Sequence, residues 1–188
     1  MLKGPLGLAF TPLELPGVVE IQHDQIGDER GFFAMHYRQD LYEAGGVPGP
    51  FVQWSLSRSG AGILRGLHYQ LDPEAQGKLV RCARGEIFDV AVDLRRSSPT
   101  FGRWVGRTLS ESNRRLLYIP PGFAHGFCVV SDGADVEYRQ SRYYAPERER
   151  GIRWDDPAIG IAWPVAAPRL APRDLAFPLL AAAEINYP

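Results

Sequence analysis

Apolar residues recur at every second position through the centre of this 188-residue chain, and that spacing constrains its fold more than any other feature. In the run from Ile87 to Leu94, one face carries Phe88, Val90, Val92 and Leu94. The other carries Ile87, Asp89, Ala91 and Asp93. A period of two fits a strand and not a helix. Comparable runs span 51–56, 62–70, 78–83, 104–109, 115–119, 126–130 and 134–144. Turn signals separate them: Ser59-Gly60, Asp72-Pro73, Arg84-Gly85, Ser98-Pro99, Pro120-Pro121-Gly122 and Ser131-Asp132-Gly133. The 20 glycines and 16 prolines are spread along the chain, as punctuation between short strands rather than a linker. An all-β sandwich or barrel with a few short helices is predicted.

Helix is predicted at 38–44, stopped by Gly45-Gly46, as one turn at 110–114, and along the apolar tail 175–185. No linker or internal repeat divides the chain, so residues 1–188 read as one domain. Its core lies at about 15–165, and a C-terminal segment, 166–188, packs on that core. Lysine and arginine total 21 against 22 aspartate and glutamate, a net charge of −1, which excludes a protein held on nucleic acid by charge alone. No apolar stretch approaches the ~20 residues of a membrane helix, and the start lacks a signal-peptide core. Cys82 and Cys128 stand without CxxC spacing and read as core thiols in a reducing cytoplasm.

Among four histidines, His68 and His125 sit in segments rich in large apolar residues. Imidazole titrates near neutrality and suits a general base, although a buried histidine taken alone is more often a satisfied core residue. No HxH, HxxxH or HxxE cluster supplies metal ligands, so no metal site is expected. Arg65 lies three residues before His68, Lys78 opens a strand, and Arg30 stands between Gly27-Asp28-Glu29 and Gly31-Phe32-Phe33. Cations on a barrel need a carboxylate or an anionic ligand, and diphosphates are frequent ligands of such groups. On a regular strand Arg65 and His68 point to opposite faces. A bulge at Gly66 would turn both toward one cavity.

Six stretches together give the chain a family resemblance. They are GDERGFF at 27–33, FVQ at 51–53, LRGLHYQ at 64–70, QGKLVRCARGEIFDVAVDLRRSSPTFG at 76–102, IPPGFAHGF at 119–127 and WDDPAIGIAWP at 154–164. In that order they resemble the cofactor-independent dTDP-4-dehydrorhamnose 3,5-epimerases of the cupin superfamily, from about Leu15 to Leu180. The resemblance implies a cupin-type jelly roll, a dTDP-4-keto-6-deoxyhexose substrate, no cofactor, a homodimer with strand exchange near the N-terminus, and no membrane or nucleic-acid partner. The implied chemistry is proton removal beside the C4 ketone, at C3 and C5, and reprotonation from the opposite face.

Residue by residue, the resemblance implies His68 as base, Asp174 as the acid that orients it, Tyr138 as proton donor on the other face and Lys78 as the cation near the C4 oxygen. Arg30, Phe33, Gln53, Arg65, His125, Glu149 and Arg173 fall on family binding positions, with Arg30 and Phe33 placed to reach the partner's site. Met35 and Ser55 stand where the family usually has Glu and Asn at ligand-contacting positions. A thioether cannot replace a charged acceptor. Those departures favour, as the alternative, a single-centre epimerase acting at C3 or C5. A non-catalytic nucleotide-sugar binding protein is the less favoured reading, because binding alone needs no acid–base pair.

Overall fold

The computed structural model describes residues 2–3 and 7–188. Its strands, in chain order, are β1 (Leu2–Lys3), β2 (Leu8–Pro12), β3 (Val19–His23), β4 (Ile26–Asp28), β5 (Gly31–Phe33), β6 (Gln53–Gly60), β7 (Leu64–Gln70) and β8 (Lys78–Arg84). They continue with β9 (Glu86–Asp93), β10 (Trp104–Ser110), β11 (Leu116–Ile119), β12 (Phe123–Val129), β13 (Gly133–Gln140) and β14 (Glu149–Gly151). Among the described residues, helix is confined to α1 (Gln39–Ala44), α2 (Pro172–Leu175) and a 3-10 turn at Leu180–Ala182.

The strands form two antiparallel sheets packed face to face. One is seven-stranded, in the order β1-β2-β3-β11-β8-β13-β6. The other is five-stranded, in the order β10-β9-β12-β7-β14, and β4 and β5 make a separate hairpin. Alternation explains the sandwich. Inward residues of both sheets, among them Val80, Leu117 and Val136 from one and Ile87, Ala91 and Phe127 from the other, share one buried cluster. The outer face of the five-stranded sheet is apolar too, and the C-terminal tail covers it: Val90, Val92 and Leu67 pack with Ala183, Ile185 and Tyr187. The segment around α1 covers the other outer face, where Leu79, Leu116 and Ile21 pack with Tyr42 and Val47. Both faces of β9 are therefore buried, and Asp89 and Asp93 are buried with them.

Two helix expectations are corrected. The tail beyond Leu175 is mostly extended. Residues 183, 185 and 187 are buried while 184, 186 and 188 are exposed, a period-two pattern that outweighed the segment's overall apolarity. At 110–114 the chain makes a turn instead of a helix. The Asn113 side chain accepts from the N–H groups of Ser110 and Arg115 and donates to the Thr108 carbonyl, and Arg114 adopts φ 53°. The strand expected over 134–144 ends at Gln140.

Candidate active site

His68 and Arg65 reach one cavity because β7 carries an extra residue. His125 stands opposite His68 and Phe127 opposite Arg65, so three steps on β7 match two on β12. Gly66 makes this possible. Its φ is +132°, and a Cβ there would lie 2.6 Å from the Gly126 Cα. The bulge resolves the face conflict between Arg65 and His68 as the glycine suggested.

The cavity, about 270 Å³, is lined by residues of both sheets. From the five-stranded sheet come Arg65, His68, His125 and Glu149. From the seven-stranded sheet come Ser55, Ser57, Lys78 and Tyr138, joined by Tyr144 from the following loop. A base and a phenol thus face the same space from opposite walls.

His68 Nε2 lies 2.9 Å from Asp174 Oδ1, and Asp174 Oδ2 accepts from the Gly66 N–H at 3.2 Å. A carboxylate only accepts, so Nε2 carries the proton and Nδ1 keeps the basic lone pair. Burial pushes the Asp174 carboxyl up. The His68 bond and charge, the Gly66 N–H and nearby Arg173 outweigh that and hold it below the usual carboxylate range. Asp174 enters from α2, far along the chain, and Phe177 packs edge-on against the His68 ring at 5.6 Å.

His125 forms a second pair, its Nε2 2.7 Å from Asp89 Oδ1, with both groups buried. Burial lowers its pKa, against the pull of Asp89. Asp89 Oδ2 is buried without a partner. Burial also lowers the Lys78 ammonium to about 8, opposed by Glu149 and Asp89. The Tyr138 phenol bonds Ser57 Oγ at 2.7 Å, and burial pushes its pKa well above the ordinary value. Arg65 Nε donates to Ser59 Oγ at 2.9 Å.

Gln53 and Arg173 stand at the rim. Gln53 accepts from the Tyr144 N–H and donates to Ser55, and Arg173 donates to Glu149 at 2.7 Å. Arg30, Phe33 and Met35 do not line this cavity within the chain. Arg30 pairs with Asp28 and Phe33 is exposed, both on the β4–β5 hairpin, while Met35 packs against the buried cluster of Ile21, Tyr42, Val47 and Leu79 outside the seven-stranded sheet. Their proximity in sequence to the first sheet strands gave no information about which side of the sheet the chain would take. The sequence reading passed over Ser57 and Asp89. A carboxylate inside an apolar strand, which needs a buried partner, was the available signal for Asp89. Among the described residues, no group of three or more His, Cys, Asp and Glu side chains could hold a metal ion, and no helix is long and apolar enough to cross a membrane.

The family profile of dTDP-4-dehydrorhamnose 3,5-epimerase matches residues 12–182. A dTDP-4-dehydrorhamnose 3,5-epimerase of Shigella flexneri is 55% identical over 86% of this chain and 90% of its own length. A dTDP-4-dehydrorhamnose 3-epimerase of Streptomyces niveus is 44% identical over 94% of this chain and 86% of its own. The crystal structure of a dTDP-6-deoxy-D-glucose-3,5-epimerase from Legionella pneumophila, in complex with dTDP-4-keto-L-rhamnose, superposes with a TM-score of 0.89. It is 46% identical and covers 93% of this chain and 94% of that one.

Proposed function

The chain belongs to the dTDP-4-dehydrorhamnose 3,5-epimerase family, and from that premise we propose that its cavity inverts C3 and C5 of dTDP-4-dehydro-6-deoxy-D-glucose to give dTDP-4-dehydro-L-rhamnose. The protein is an isomerase of the dTDP-sugar class. The observation that carries the mechanism is the meeting of His68–Asp174, Tyr138 and Lys78 in one cavity from opposite sheets.

His68 Nδ1 takes the proton from the carbon beside the C4 ketone. The C–H pair becomes the enolate double bond, and the carbonyl pair moves to the C4 oxygen. Lys78 holds that oxyanion, and Asp174 holds the imidazolium. Tyr138 then gives its proton to the carbon from the other wall, and the ketone re-forms with the centre inverted; His68 then loses its proton to solvent and the Tyr138 phenolate regains one, which resets both for the second centre. No redox change occurs, so the steps need no electron carrier. Arg65, Arg173, Gln53 and Glu149 hold the sugar and diphosphate at the cavity and its rim, and His125 and Ser55 contact the sugar.

The active unit is a cytoplasmic homodimer in this reading. Ile26, Phe32 and Phe33 on the β4–β5 hairpin and Trp54 and Leu56 on the edge strand β6 are exposed apolar side chains. A second copy would cover them and bring Arg30 and Phe33 to the partner's cavity, with Met35 near it. Light scattering should give twice the chain mass. Two buried free cysteines fit a reducing compartment.

Incubation with the substrate in D₂O should place solvent deuterium at both C3 and C5. Inversion at only one centre would support the second reading, which Ser55 in the cavity wall and the 3-epimerase relative favour. A folded, dTDP-binding preparation that exchanges no deuterium would overturn both.

A further inference from the structure

Strand β6 carries Ser55, Ser57 and Ser59 at a period of two, alternating with exposed Trp54, Leu56 and Arg58. All three serines face inward, and each meets a different functional side chain. Ser55 bonds Gln53, Ser59 bonds Arg65, and Ser57 bonds the Tyr138 hydroxyl at 2.7 Å. In the β6–β13 register Tyr138 stands opposite Ser55, so its ring leans along the strand to the diagonal neighbour. The bond to Ser57 thus fixes where along the wall the phenol oxygen sits.

We propose that Ser57 is the positioning residue of the acid: it donates its hydroxyl proton to the Tyr138 oxygen, so that the phenol proton points to the substrate carbon. This rests on the epimerase reading above. Two hydroxyls in contact share one hydrogen bond, and either can donate. If the phenol donated, its proton would point at Ser57 and away from the cavity. With Ser57 donating, the phenol proton is free, and the same bond holds the phenolate that remains after transfer. The O–H electron pair stays on the phenolate oxygen, and the enolate pair forms the new C–H bond. His125 and Phe127 close the other side of the ring, with centroids 6.0 and 6.3 Å away, so the phenol has little room to turn toward another donor. Burial raises the Tyr138 pKa while the Ser57 bond lowers it, as a donor to the phenolate should.

The test separates proton removal from delivery. Wild type, Ser57→Ala, Ser57→Cys and Ser57→Thr are incubated with the 4-keto substrate in D₂O. Mass spectrometry reads deuterium uptake, NMR reads inversion, and circular dichroism verifies folding. In Ser57→Ala, His68 still opens the enolate, but the proton returns from the His68 face. The ratio of exchange to inversion should rise about tenfold or more, the size of a lost hydrogen bond to a charged oxygen. Ser57→Cys, a weaker donor of similar volume, should fall between, and Ser57→Thr should restore the ratio. In a Tyr138→Phe background Ser57→Ala should change nothing further. Unchanged kinetics, or a parallel fall of exchange and inversion, would overturn the role of Ser57 while leaving the epimerase reading intact. Absence of exchange in folded wild type would overturn that reading and this inference together.

Discussion

Two histidine–aspartate pairs face the same cavity, and they are built in different ways. His125 and Asp89 sit on adjacent strands, β12 and β9, and ladder register alone brings them together. His68 and Asp174 lie 106 residues apart and meet only because the tail returns across the bulged end of β7. The environments differ as well. The His68 side chain is 21% exposed and opens to the cavity. The His125 side chain is 5% exposed over a carboxylate with no access at all. The same two residue types therefore serve different ends. The pair made by register lies buried in the cavity wall, and the pair made by the tail leaves an imidazole nitrogen open to the cavity, as the proposed base requires.

The comparison breaks first at His68. His68→Ala should lower turnover by about 10³-fold, within the usual range for a general base, while dTDP still binds by calorimetry. Equal losses of binding and turnover would make His68 a binding residue, the role proposed for His125, and not a base. The next largest effect belongs to the other pair. Asp89→Ala leaves a buried imidazole without its partner and should cost about 3 kcal/mol of stability in urea unfolding. Asp174→Ala, at the cavity edge, should cost clearly less. Should the two lose equal stability, the division between buried wall and machinery fails.

Asp174→Asn keeps the shape but removes the carboxylate that bonds His68 Nε2 and, in the proposed mechanism, balances the imidazolium. The rate should fall about 10²-fold with the melting temperature nearly unchanged. The pH effects are smaller and sharpen the contrast. Burial holds His125 below its ordinary pKa and His23 at about 4. As pH falls below about 6.5 the unfolded chain takes up protons that the fold refuses, so stability present above that pH is lost toward pH 4. His23→Gln should flatten this loss in a melting-temperature series. The depressed Asp174 carboxyl runs lower: its contribution is present above the unfolded carboxylate value and is lost as pH falls through the folded one. Activity should also fall as pH rises through about 8, where Lys78 loses its proton, if that proton holds the oxyanion as proposed. A pH profile of kcat/KM on wild type tests this limb.

Much of the fold was legible because alternation is local. A strand with one face buried shows its period whether or not its neighbours are known, and β7 to β13 lie close to the runs read from sequence. The bulge was legible for the same reason, since only a glycine between Arg65 and His68 allows the turn. The tail was misread as helix because its composition is apolar, while its positions, 183, 185 and 187, alternate. Ser57 was missed because serine on a strand carries no signal until the residue opposite is known.

The order of residues by itself determined an all-β chain, the glycine that bends β7, and, through its motifs, the family and a set of acid, base and cation candidates. Tertiary structure decided which of them meet. It placed His68 and Tyr138 on opposite walls, brought Asp174 under His68, buried Asp89 beneath His125, and sent Arg30, Phe33 and Met35 away from the chain's own cavity. The physical reason is range. Periodicity and backbone freedom act over a few residues, whereas pairing across sheets depends on register and on the path of loops and tail, which only the packed chain fixes.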